Sequence, residues 1–193
     1  MPTIHDFFRR EGVDMKSLSA FLDGLPPSRR AEETCDLNAA EQARLWEAAK
    51  GFLPVTLDSI VPQDRKPLEE VIHHGRNSLA MFSRFQKRFC LPGDGKKGEL
   101  WGYNHQMLSP VTGPGYFVTR AAGPGEVVVD YREVPPAKPE EWPEILPNSA
   151  KLSRFIYYMT EDFLRGVSKH VTIGRATRKG KPMNNWFVLC RED

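Results

Sequence analysis

Asn77 to Phe89, NSLAMFSRFQKRF, decides how the first half of the chain is read. Leu79, Phe82, Phe85 and Phe89 recur along one side of a helical projection, with Arg84, Lys87 and Arg88 opposite. The spacing predicts a helix, opened by Asn77, whose side chain can cap free amide groups. On this reading residues 1–92 are mainly helical. Ile4 to Arg10 and Ser17 to Leu25 supply two short helices, the second ended by Pro26-Pro27. The polar segment SRRAEETCDL (28–37) reads as a loop or a frayed turn. Asn38 then starts a stronger helix, with Glu41 three residues on as in a capping box. Leu45, Ala48, Ala49 and Phe52 share its apolar face.

Downstream, LPGDGKKG (91–98) breaks the chain, and from Glu99 the apolar period changes from 3.6 to 2. Trp101, Tyr103, His105 and Met107 face one way, with Asn104 facing the other. Val127 to Val134 reads as a β-branched run. Val171, Ile173 and Arg175 share one face of a strand, and Trp186, Val188 and Cys190 share one face of the next. These two form a hairpin around Lys179-Gly180. Five prolines at 135, 136, 139, 143 and 147 make residues 135–147 an extended connector, pinned by Trp142 and Ile145. Asn148 or Ser149 would cap a long helix over 148–166, with Leu152, Phe155, Ile156, Met159 and Phe163 buried.

The expected fold is therefore α+β in one domain, 1–193. N-terminal helices pack on an antiparallel sheet of about five strands drawn from 99–134 and 170–191, and one long helix is inserted before a C-terminal hairpin. No alternating βαβ pattern or G-x-G-x-x-G occurs, which disfavours a dinucleotide fold.

Composition narrows the function. The chain has 193 residues, 40% hydrophobic and 27% charged, with net charge +2, which is ordinary globular composition. The three cysteines, Cys35, Cys90 and Cys190, are odd in number and lack C-x-x-C spacing, arguing against a disulfide framework or zinc ribbon. No apolar signal region or run of 18 apolar residues occurs, so the expected compartment is the cytoplasm and no membrane partner is expected. Phe163 to Arg191 carries seven basic residues and no acidic one, favouring an anionic partner if they cluster. Nucleic acid is disfavoured by the small net charge and the lack of an RNP-like signature.

The chemistry-bearing residues stand in polar breaks of apolar stretches. His105 is the first candidate base, in WGYNHQM; His170, at a helix-to-strand junction, is the second. Asp130, inside VVVDYRE, needs a partner if buried and could orient either histidine. Arg175 could pair with Asp130 or, like Arg76, meet an anionic ligand group. Buried Tyr103, Tyr116 and Tyr131 would each require a hydrogen-bond partner. Glu70-x-x-His73 has di-iron spacing but no second copy, so no metal site is assigned and the cofactor is left open. The leading expectation is a small-molecule pocket formed by Trp101, Tyr103, His105, Tyr116, Arg175 and Arg76. The alternatives are an enzyme using His105 or His170 with Asp130, and an interaction module using the basic hairpin. The two Gly-Pro-Gly triplets differ: Gly123 to Gly125 reads as a turn between strands, and Gly113 to Gly115 as a candidate pocket rim.

Overall fold

A computed structural model describes residues 2–79, 83–106, 113–149 and 157–193. Among the described residues, alternation of two residues in and out governs more of the chain than the helical period does. Among the described residues eight strands form: β1 (Val71–Asn77), β2 (Arg84–Cys90), β3 (Leu100–His105), β4 (Tyr116–Gly123), β5 (Glu126–Asp130), β6 (Thr160–Gly166), β7 (Val171–Arg178) and β8 (Lys181–Arg191). Each pairs antiparallel with the next, and β8 pairs with β1, so the sheet closes into a barrel. Closure leaves no unpaired edge.

The α+β expectation is thereby corrected. The five strands read from 99–134 and 170–191 exist as β3, β4, β5, β7 and β8, but β1, β2 and β6 complete a mostly-sheet barrel. The helix expected from Asn77 is replaced in its described part by the end of β1 and the whole of β2. Asn77 does not cap a helix; its Oδ1 accepts the Leu79 N–H at 3.0 Å in a local turn. The helix expected over 148–166 is replaced in its described part by β6. Asn148 donates its side-chain amide to the carbonyls of Tyr116 and Tyr131, both at 2.7 Å, instead of capping. Phe82, Met107, Leu152, Phe155 and Ile156 lie outside the described residues. The segment 28–37 is also corrected: Pro27–Thr34 is a helix (α2), with Pro27 at its first position, where a missing N–H costs nothing.

The remaining helices are α1 (Met15–Asp23), α3 (Ala39–Ala48) and α4 (Leu57–Ile60), preceded by a 3-10 turn at Ile4–Phe8. Asn38 and Glu41 form the expected reciprocal cap on α3. The β7–β8 hairpin turns at Lys179 and Gly180, both with positive φ (51° and 72°), as a tight hairpin requires. Gly125, φ 76°, turns β4 into β5. No described helix is long and apolar enough to cross a membrane.

Three apolar clusters organise the molecule. Inside the barrel, Val71, Phe89, Phe117, Val127, Val129, Leu164 and Leu189 meet Val55, Ile60 and Val61. The segment carrying those last three closes one end: Leu53 bridges Gly166, and the Val55 N–H reaches the Gly125 carbonyl at 2.9 Å. Outside, α1 and α3 cover β7 and β8 through Leu18, Leu22 and Leu45 against Val171, Ile173, Val188 and Cys190. On another flank, Trp142 and Ile145 of the proline-rich connector pack on Cys90, Trp101, Tyr103, Tyr116 and Val118.

The barrel's tight curvature rests on glycines that face aromatic rings across the ladder. Gly75 lies opposite Phe85, Gly102 opposite Phe117 and Gly174 opposite Phe187. A Cβ on Gly174 would sit 2.1 Å from the Phe187 ring, so that ring occupies the space a side chain would need. Such glycines bend strands and are covered by aromatics in curved sheets.

Candidate functional site

The end opposite α4 is formed by the last residues of β1, β3, β5 and β7 and the first of β2, β4, β6 and β8. A cavity of about 300 Å³ enters the barrel there. Asn77, Leu79 and Phe85 line one side; Asn104, Gln106, Tyr131 and Tyr157 a second; Thr160, Asp162, Ala176 and Arg178 a third; and Met183, Asn185, Trp186 and Phe187 the last. Lys87 completes the wall at the depth of the β2 inward face.

Lys87 is 2% exposed and its ammonium is fully engaged. Nζ donates to Asp162 Oδ2 at 3.0 Å, to Asn104 Oδ1 at 3.2 Å and to the Tyr131 hydroxyl. Asn104 Nδ2 also donates to that hydroxyl at 2.8 Å. The charge lies near the Tyr131, Phe117 and Phe187 rings, with Nζ to centroid distances of 4.8, 5.1 and 5.1 Å. Burial pushes the Lys87 pKa below its ordinary value, against the opposing attraction of Asp162. Burial likewise pushes the Tyr131 hydroxyl well above the usual tyrosine value, reinforced by the Asp162 charge. Tyr157 stacks on Tyr131, centroids 5.1 Å apart, and accepts from Gln106 Nε2 at 2.9 Å. The first Gly-Pro-Gly triplet stands behind this stack. Gly115 has φ 58°, and a Cβ there would lie 2.5 Å from the Tyr157 ring.

The residues singled out from the sequence lie elsewhere. Trp101, Tyr103 and Tyr116 are buried on the barrel's outer flank beneath Trp142, with Tyr103 and Trp142 ring centroids 4.8 Å apart. His105 is exposed at the end of β3; burial of its inner edge and the Arg88 charge hold its pKa below the ordinary value. Arg76 donates to the carbonyls of Cys35 and Asp36, both at 3.0 Å, and Arg175 to that of Met183 at 2.9 Å. None of these six is among the described lining of the cavity.

Asp130 does not pair with Arg175. Burial would raise its pKa, but the Arg132 guanidinium, 2.7 Å from Oδ2, holds it below the usual carboxylate range. His170 lies in the β6–β7 connection, at the end opposite His105, with Nδ1 3.1 Å from Arg191 Nη2. The two histidines are thus separated by the length of the barrel. Glu70 and His73 also part company: Glu70 binds Arg88 and the Trp142 indole, while His73 points into the barrel.

Lys87, Asp162 and Tyr157 escape a reading of the sequence, and Asn104 is set aside by it. Tyr131 is expected to need a partner, and it has several. The available signal is Phe85-x-Lys87-x-Phe89, a lysine flanked at period 2 by rings, and Thr160-x-Asp162-x-Leu164 in the facing strand.

His73 gives the barrel a pH dependence of its own. Its Nε2 is 3.0 Å from the Ile60 carbonyl, and full burial lowers its pKa to about 4. The unfolded histidine titrates near the ordinary 6.5 and so takes up a proton first as pH falls. Stability is therefore complete above 6.5 and falls between about 6.5 and 4, by roughly 3 kcal/mol in all. Urea unfolding across that window checks this; a His73→Gln variant should show a flatter profile.

No family model, no curated protein and no solved structure matches this chain. Fold and cavity define its class: a closed eight-stranded up-and-down barrel, which among the described residues is closed at one end by the segment before α4 and holds a cavity at the other.

Proposed function

We propose that the chain binds a small, largely apolar molecule in the open end of the barrel, ring against rings, with one polar group directed to the Lys87 floor. The observation that carries this is the coincidence of an aromatic-walled hollow with a buried, convergent set of polar groups, Lys87, Asp162, Asn104 and Tyr131. Mostly apolar pockets with a few placed polar groups are the usual form of small-molecule sites, and about 300 Å³ is at the small end of their range. A one-ring ligand suits it best.

The anionic ligand expected from Arg76 and Arg175 has less support. Both guanidiniums donate to backbone carbonyls, and Lys87 is already balanced by Asp162. A neutral hydroxyl or carbonyl fits that balanced floor better than a second negative charge. The enzyme reading also has less support, since no histidine is among the described lining.

The test is calorimetric titration with 4-isopropylbenzyl alcohol, an apolar ring with one hydroxyl. Ala176 lies directly opposite Asp162 in the β6–β7 ladder and lines the cavity. Ala176→Phe should fill the hollow and weaken binding by about tenfold or more, with the unfolding midpoint little changed. Equal binding by both proteins would sink the proposal.

A further inference from the structure

The lysine at the floor is harder to account for than the hollow above it. A buried ion pair is seldom worth more than a well-packed apolar pair of the same volume, so Lys87–Asp162 is not explained by stability. Among the described lining residues Lys87 is the one primary amine. It is enclosed by the rings of Phe85, Phe117, Tyr131 and Phe187, with the Asp162 carboxylate 3.0 Å away. An amine desolvated in apolar surroundings next to a proton acceptor is set up as a nucleophile toward carbonyl carbon.

We propose that Lys87 condenses reversibly with an aldehyde seated in the cavity, with Asp162 as the acid–base partner and then the counterion of the imine. This rests on the binding reading above and names the ligand's functional group. Asp162 takes one proton from the ammonium. The freed lone pair attacks the carbonyl carbon; a C–N bond forms and the carbonyl π pair moves onto oxygen. That oxygen takes one proton from nitrogen and one back from Asp162, and departs as water when the C–O bond breaks. The nitrogen lone pair completes the C=N bond. The sum is ammonium plus aldehyde giving protonated imine plus water, with no oxidant or reductant consumed. The protonated imine keeps one N–H, which Asp162 is placed to accept. The lowered Lys87 pKa, set by burial, acts in the same direction by easing the first proton transfer.

The experiment uses the intact protein and 4-isopropylbenzaldehyde, with cyanoborohydride, which spares the free aldehyde, to trap protonated imines and peptide mapping to locate them. Lys179 and Lys181, exposed at the turn of the β7–β8 hairpin, are internal references. Lys87 should label at least about tenfold faster than either, and 4-isopropylbenzyl alcohol should slow labelling of Lys87 alone. Asp162→Asn should slow Lys87 labelling relative to the same references; the wild-type ratio stands as the test if that variant does not fold. Labelling confined to Lys179 and Lys181, while the alcohol still binds by calorimetry, overturns the condensation and leaves the binding reading standing. No binding of the alcohol and no label on Lys87 overturns both.

Discussion

Lys87→Met should cost about 3–5 kcal/mol of folding stability, and Lys87→Met combined with Asp162→Leu should return to within about 1 kcal/mol of the wild type. The single substitution strands the Asp162 carboxylate, which is within the barrel and only 8% exposed at its side chain, without the ammonium 3.0 Å away. An uncompensated buried charge is among the few causes of very large losses. The double substitution removes both charges and fills the space with apolar groups of similar size, so desolvation is no longer an obstacle to folding. The Asn104 and Tyr131 groups that now face Lys87 still bond each other at 2.8 Å, which limits the residual loss. Urea unfolding of the two singles and the double gives the coupling directly; a sum of singles equal to the double would mean that the pair does not interact.

Gly102→Ala should be comparably damaging, about 4 kcal/mol. A Cβ there meets the Phe117 ring at 2.3 Å and, more seriously, the Arg88 carbonyl oxygen at 2.5 Å. The ring could turn aside at moderate cost, but the Arg88 carbonyl belongs to the neighbouring strand β2, and moving it disturbs the β2–β3 ladder that carries Lys87. Gly12, where an added Cβ would meet nothing within 4 Å, is the natural control: Gly12→Ala should shift the unfolding midpoint little. Equal effects at the two positions would show that the strand is not curved as described.

These two sites also explain what is legible in the sequence. Strands β3, β4, β5, β7 and β8 are readable because each keeps an apolar alternation or a β-branched run over part of its length, and α3 because Asn38 and Glu41 announce its start. Strands β2 and β6 are not. Each carries a charged residue on its inward face, Lys87 in one and Asp162 in the other, where an apolar residue would have completed the period of 2. With Lys87 counted as solvent-facing, Phe85 and Phe89 fall onto a helical stripe. With Asp162 discounted, outward-facing Phe163 joins another. The two charges satisfy each other only across the closed barrel, between strands β2 and β6 that are not ladder neighbours, so no local pattern could declare them a pair.

The site escapes for the same reason. Polar residues that interrupt apolar runs are the natural candidates, and they bring forward His105, Asp130 and Arg175. All three lie on the outward parity of their strands, with Asn104, Tyr131 and Gly174 next to them on the inward one. An open five-stranded sheet has no enclosed face to distinguish the two parities; a closed barrel does, and it is the inward set that converges.

The proposed binding depends on the inward faces of β2, β3, β6 and β8 meeting around a cavity that ends on Lys87. Isotope-edited NOE spectroscopy with 4-isopropylbenzyl alcohol is the sharpest check of that arrangement. The isopropyl and ring protons should show contacts to Tyr157, Met183 and Phe187, with the hydroxyl-bearing carbon nearest Lys87. Contacts confined to Trp101, Tyr103 and Trp142 on the outer flank, or contacts to none of the lining residues at saturating probe, would contradict it.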